Sequence, residues 1–109
     1  MFPPHCIKNT EGSKIIDDLE VKDTDKIITK RRYSAFYGTD LDLTLRENNV
    51  DELYVVGVCT NICVLYTAAD ARNISYRVNI YKDGVASFDE GAHIFALKEL
   101  ERTLGCKII

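Results

Sequence analysis

Proline is scarce, with only two residues in 109, and six glycines complete the stock of chain breakers. That is too few for a collagen-like, low-complexity or disordered chain. Basic tracts are short as well: none exceeds residues 30–32, and fourteen Lys and Arg against seventeen Asp and Glu leave a formal charge of −3. Such a chain has no electrostatic footprint for a phosphate backbone, so no nucleic-acid partner is expected. The longest apolar stretch, residues 53–59, is about a third of the ~20 residues a bilayer span requires. The opening Met-Phe-Pro-Pro-His holds no apolar signal-peptide region. The expectation is therefore a soluble, cytoplasmic protein that meets no membrane. Cysteine is too sparse for a secreted disulfide scaffold, so Cys6, Cys59, Cys63 and Cys106 read as thiols. What is present, 46% hydrophobic and 28% charged residues, suits one small globular domain over residues 1–109.

The hydrophobic pattern alternates between helical and strand periods. Residues 11–20 place Ile15, Ile16 and Leu19 at helical spacing, and residues 26–30 (KIITK) read as a brief buried strand ending in Lys30. An aromatic loop follows at 31–38. Thr39 or Asp40 should cap a helix that stops at Asn48 and Asn49. Residues 53–58 (LYVVGV) are almost continuously apolar, the mark of a central parallel strand covered on both faces. Thr60 or Asn61 then caps a helix of small residues running to about Asn73. A strand at 75–81 and a turn at Lys82, Asp83 and Gly84 precede a last helix, capped by Asp89 and ended by Gly105. His93 shares its stripe with Leu97, Leu100 and Leu104 and reads as a packed helix histidine. Residues 106–109 make a final short strand. Strands alternating with helices predict an α/β fold, three-layered, around a parallel sheet with right-handed crossovers.

In such folds chemistry gathers beyond the carboxyl ends of the strands. Lys30 ends one strand, and Cys63 lies just past another, in the first turn of a helix. A thiol there feels the positive end of the helix dipole and unpaired backbone N–H groups, which favour the thiolate. Those N–H groups also offer an oxyanion hole, so acyl transfer through a thioester is a natural chemistry. The plainer reading is that Cys63 is a small buried hydrophobe. A zinc cluster of His5, Cys6, Cys59 and Cys63 is a poor alternative, because the CxxxC spacing is not the usual CxxC knuckle.

The flanking residues favour chemistry. Gly57-Val58-Cys59-Thr60-Asn61-Ile62-Cys63-Val64 resembles the nucleophile signature of the isochorismatase-like cysteine hydrolases, Gly-Val-x-Thr-x-x-Cys-Val. The resemblance implies Cys63 as nucleophile and a cis peptide bond between Val58 and Cys59. It also implies an oxyanion hole made by the N–H groups of Cys59 and Cys63. It spans the chain and is closest to the nicotinamidases, which hydrolyse nicotinamide to nicotinate and ammonia. Lys30 matches the family's catalytic lysine. Pro3-Pro4-His5-Cys6, with Thr10 and Gly12, resembles a stretch whose histidine is one of three metal ligands. This implies zinc or another divalent metal in the complete site, with His5 as one ligand. Asn9 stands where glycine is usual. Tyr33, Phe36 and Ile62 would line a flat ring pocket for a small-molecule amide.

Two family motifs have no counterpart in these residues: Asp-x-Gln-x-Asp-Phe, which carries the triad aspartate, and Asp-x-His, which supplies the other metal ligands. By the resemblance Met1 aligns inside a complete enzyme, and strands 1 and 2 of the order 3-2-1-4-5-6 are missing. The aspartate's role as base is typically worth about 10² to 10⁴ in rate. Asp83 could stand in for it, although a turn role suits it better. The leading expectation is a nicotinamidase-like amidohydrolase, incomplete at its N-terminus. Alternatives are an inactive fragment or assembly subunit, an isochorismatase or carbamoyl-amide hydrolase of the same superfamily, and a thiol redox module using Cys59 and Cys63. Self-association into a homo-oligomer stays open.

Overall fold

A computed structural model describes residues 19–109. The helix expected at 11–20 lies outside them except for Leu19 and Glu20, as do His5 and Cys6. The ordered elements are α1 (Leu41–Glu47), β1 (Glu52–Val58), a π-helical turn (Thr60–Val64), α2 (Leu65–Asn73), β2 (Arg77–Ala86), α3 (Glu90–Arg102) and β3 (Lys107–Ile108). The three strands form a parallel sheet in the order β1-β2-β3. The α/β class expected from the alternating periods is what the chain adopts.

Side-chain parity decides which face of the sheet is covered. Leu53 and Val55 pair with Val78 and Ile80 across β1 and β2. On that face the two β2 side chains join Val64, Ala68 and Ala71 of the π-turn and α2, and Leu100 of α3, in one core. The alanines sit four and seven residues beyond Val64, on one helical stripe, and their small size lets α2 approach the sheet. Opposite parity gives Tyr54, Val56 and Val58, all more than half exposed. Among the described residues β1 is covered on one face only and is an edge rather than a central strand. The continuous apolar run conceals this, because a run without polar residues carries no parity.

Two further expectations change. Residues 26–30 form no strand: they have no ladder partner among the described residues, and Ile27 is 60% exposed. β-branched residues fit a pleated surface only where a neighbouring strand supplies one. The turn at Lys82 to Gly84 does not end its strand. Val55 pairs with Ile80 and Gly57 with Val85, so the residues between loop out and the ladder resumes. Gly84 makes this possible, since a Cβ there would lie 2.6 Å from Val56 Cγ1.

Elsewhere the local signals hold. Asp89 Oδ1 accepts from Ala92 N (3.0 Å) and starts α3, as an N-cap should. Gly105 (φ +70°) lets the chain leave α3 for β3. Arg72 ties the ends together: its Nε donates to Leu104 O and its Nη1 to Tyr76 O (2.6 and 2.9 Å). Tyr76 is fully buried, and its hydroxyl donates to Asp42 Oδ1 (2.7 Å), which anchors α1.

Candidate active site

The carboxyl end of β1 runs directly into the π-turn. Gly57 adopts φ +132°, a conformation L side chains rarely take, and the Val58–Cys59 peptide bond is cis. Cys59 is extended (φ −92°, ψ 148°) and occupies the N-cap position, with no side-chain capping bond. The Cys59 carbonyl accepts from Ile62 N (3.0 Å) and Val64 N (3.2 Å), the latter an i to i+5 bond. Cys63 and Cys59 are both half-buried free thiols on this turn.

Thr60 and Asn61, expected as caps, are used differently. Thr60 is fully buried, and its hydroxyl lies 2.7 Å from His93 Nδ1 on α3. Asn61 Oδ1 accepts from the Ser87 hydroxyl (2.7 Å), and Ser87 Oγ accepts from Asp89 N (3.2 Å). The turn is therefore held from outside, by the loop after β2 and by the first turns of α3. Sequence reasoning missed this arrangement. Its only signal was a histidine placed in an otherwise apolar helix stripe.

The loop at 31–38 docks on α2. Ala35 N donates to Thr67 Oγ1 (3.0 Å), and the Tyr33 ring stacks on Tyr66 with centroids 6.1 Å apart. Tyr66 stands three residues beyond Cys63, so Tyr33 reaches the helix that continues from the Cys63 turn. Lys30 is exposed, and its ammonium donates to Tyr33 O (3.0 Å). Phe36 turns inward: its ring lies 6.0 Å from that of Tyr76, and it packs on the core. Ile62 is half-buried in the π-turn, and Asp83 is exposed on the looped-out segment of β2. Cys106 is buried in the segment entering β3. Burial pushes its thiol pKa up, against the pull of the Arg72 guanidinium.

Among the described residues, no three His, Cys, Asp or Glu side chains are grouped so as to hold a metal ion. The described part of the chain does not fit a metal centre. Nor is any helix among these residues long and apolar enough to cross a membrane.

The parallel sheet thus feeds a cysteine-bearing turn at the carboxyl end of β1. The isochorismatase domain family matches residues 1–109, and the chain belongs to that family. It is 44% identical over 115 residues to PncA of Bacillus subtilis (strain 168), named as an uncharacterized isochorismatase family protein, covering 99% of this chain and 63% of the relative. The crystal structure of nicotinamidase/pyrazinamidase PncA from Bacillus subtilis superimposes with a TM-score of 0.92 at 40% identity, covering 99% of this chain and 63% of that one. Pyrazinamidase of Pyrococcus horikoshii, solved in complex with zinc, gives 0.91 at 34% identity, covering 100% and 63%. The chain thus spans less than two thirds of the length of these relatives.

Proposed function

We propose that this chain is the nucleophile-bearing part of a nicotinamidase-like cysteine amidohydrolase, a single isochorismatase-like domain over residues 1–109. Its substrate is nicotinamide or a related small amide. One observation carries the reading: the Gly57-to-Val64 segment coincides with the turn that closes β1, so Cys63 stands just past the carboxyl end of a parallel strand in a chain of this family. Similarity to a nicotinamidase/pyrazinamidase over 99% of the chain supports the substrate class.

In this reading Cys63 Sγ attacks the amide carbonyl carbon and the carbonyl π electrons move to oxygen. Backbone N–H groups of Cys59 and Cys63 stabilise that oxyanion, and fixed backbone donors do so without reorganising. The C–N bond then breaks, the amide nitrogen takes up the proton given up by the Cys63 thiol and departs as ammonia, and a thioester remains. Water then attacks the thioester, releasing the acid and the thiol. Lys30 supplies positive charge from its loop, while Tyr33 and Ile62 face the aromatic ring and Phe36 anchors the loop to the core. His5 is a single ligand and cannot hold a divalent metal alone. The triad aspartate that would move the proton in the complete family site has no counterpart among residues 1–109, and such a base is typically worth about 10² to 10⁴ in rate.

Ammonia release from nicotinamide by the 109-residue chain, abolished by Cys63→Ala, is the expected result. Release no greater than that of Cys63→Ala refutes catalysis by this chain and favours the assembly-subunit alternative.

A further inference from the structure

The π-turn lacks a capping side chain of its own, yet it must hold two backbone N–H groups and a sulfur in register. What fixes it comes from a different element. His93 reaches from α3 to the buried Thr60 hydroxyl, and Ser87 reaches from the preceding loop to Asn61, both at 2.7 Å. Thr60 and Asn61 are adjacent residues at the entrance to the turn, so the two bonds restrain its position and rotation together. Ser87 is itself fixed by Asp89 N, and Asp89 caps α3, so the brace is continuous with the helix start.

We infer that His93 is a positioning residue for Cys63, acting through the Thr60 hydroxyl, with Ser87 and Asn61 as the second arm of the brace. The bond forms in either tautomer of the ring, because a hydroxyl both donates and accepts. A structural histidine alone would contribute to stability and leave the reactivity of the sulfur unchanged. A brace sets the placement of the reacting atoms, for which a shift of about 1 Å can cost on the order of a hundredfold in rate. This rests on the reading of Cys63 as nucleophile, but its readout does not require amide turnover.

The test is the rate at which iodoacetamide alkylates Cys63, located by fragment-ion mass spectrometry, at a temperature where circular dichroism shows each variant folded. His93→Leu and Thr60→Val should each slow the reaction by a common factor of about twofold or more, because each releases the same half-buried sulfur from its fixed setting. The double variant should be no slower than the worse single one, because both remove the same bond. His93→Asn, whose amide takes the position of Nδ1, and Thr60→Ser should restore the rate. If ammonia release is measurable, the loss should fall on kcat with KM retained. Should His93→Leu not fold, Ser87→Ala supplies the same comparison through the second arm. An unchanged alkylation rate in the folded variants, or an Asn variant as slow as the Leu variant, overturns the inference. Normal brace behaviour without ammonia release would instead refute only the amidase reading.

Discussion

Gly57 is the residue whose replacement tests most sharply how the chain reaches the turn that bears Cys63. A Cβ built on Gly57 meets nothing within 4 Å, so Gly57→Ala makes no clash. The entire cost comes from the backbone, held at φ +132° immediately before the turn. For an L residue in such a sparsely populated region the cost is about 1–3 kcal/mol, a sizeable share of the ~5–15 kcal/mol that stabilises an ordinary domain. Asparagine should not rescue it, because its tolerance for positive φ lies in the left-handed helical region near +57°. D-Alanine, introduced by chemical ligation, should. For a D residue φ +132° is as accessible as −132° is for an L residue, and removing the freedom of glycine from the unfolded chain should add about 0.4–1 kcal/mol. Denaturant unfolding of the three variants reads the result. A neutral L-alanine variant, or a D-alanine variant as unstable as the L form, would refute the reasoning.

Other outcomes follow from the core and its ties. Leu100 is fully buried, so Leu100→Ala should lower unfolding free energy by about 2–5 kcal/mol, read as a shift in the denaturant midpoint at constant m-value. Arg72→Met should cost about 2–3 kcal/mol by stripping the Leu104 and Tyr76 carbonyls of a charged partner. Arg72→Lys should recover little, since one ammonium cannot reproduce the planar fork. The pKa values of Cys106 and Tyr76 are both raised in the fold, first by burial and, for Tyr76, also by its bond to Asp42. Groups with raised folded pKa contribute stability below their unfolded values, about 9 and 10, and lose it as pH climbs through the folded ones. Unfolding free energy should thus fall progressively above pH 9, and Cys106→Ala should flatten the first part of that fall. A pH-independent stability from 8 to 11 would contradict this.

Much of the architecture was legible because local chemistry and tertiary structure agree there. The helix ending at Asn48 and Asn49, the Asp89 cap, the Gly105 exit and the alternation of Tyr76, Val78 and Ile80 each rest on a signal contained within a few residues. What was hidden depends on partners distant in the chain. Residues 26–30 look like a strand by composition, but a strand needs a neighbour. The apolar run 53–58 suggests two covered faces, whereas among the described residues only the Leu53 and Val55 side is packed. The site divides along the same line. The motif marks Cys59 and Cys63, because their spacing is local. The diversion of Thr60 from cap to brace is set by a histidine thirty-three residues away, and no local pattern encodes that pairing.

The most direct trial of the central claim is to quench a reaction with nicotinamide in acid within the first turnovers and weigh the cysteine peptides. With Cys63 as the nucleophile, a nicotinoyl group replaces the thiol hydrogen on Cys63 and on no other cysteine. Nicotinate accumulating while Cys63 stays unacylated, or at the same rate in Cys63→Ala, would contradict it.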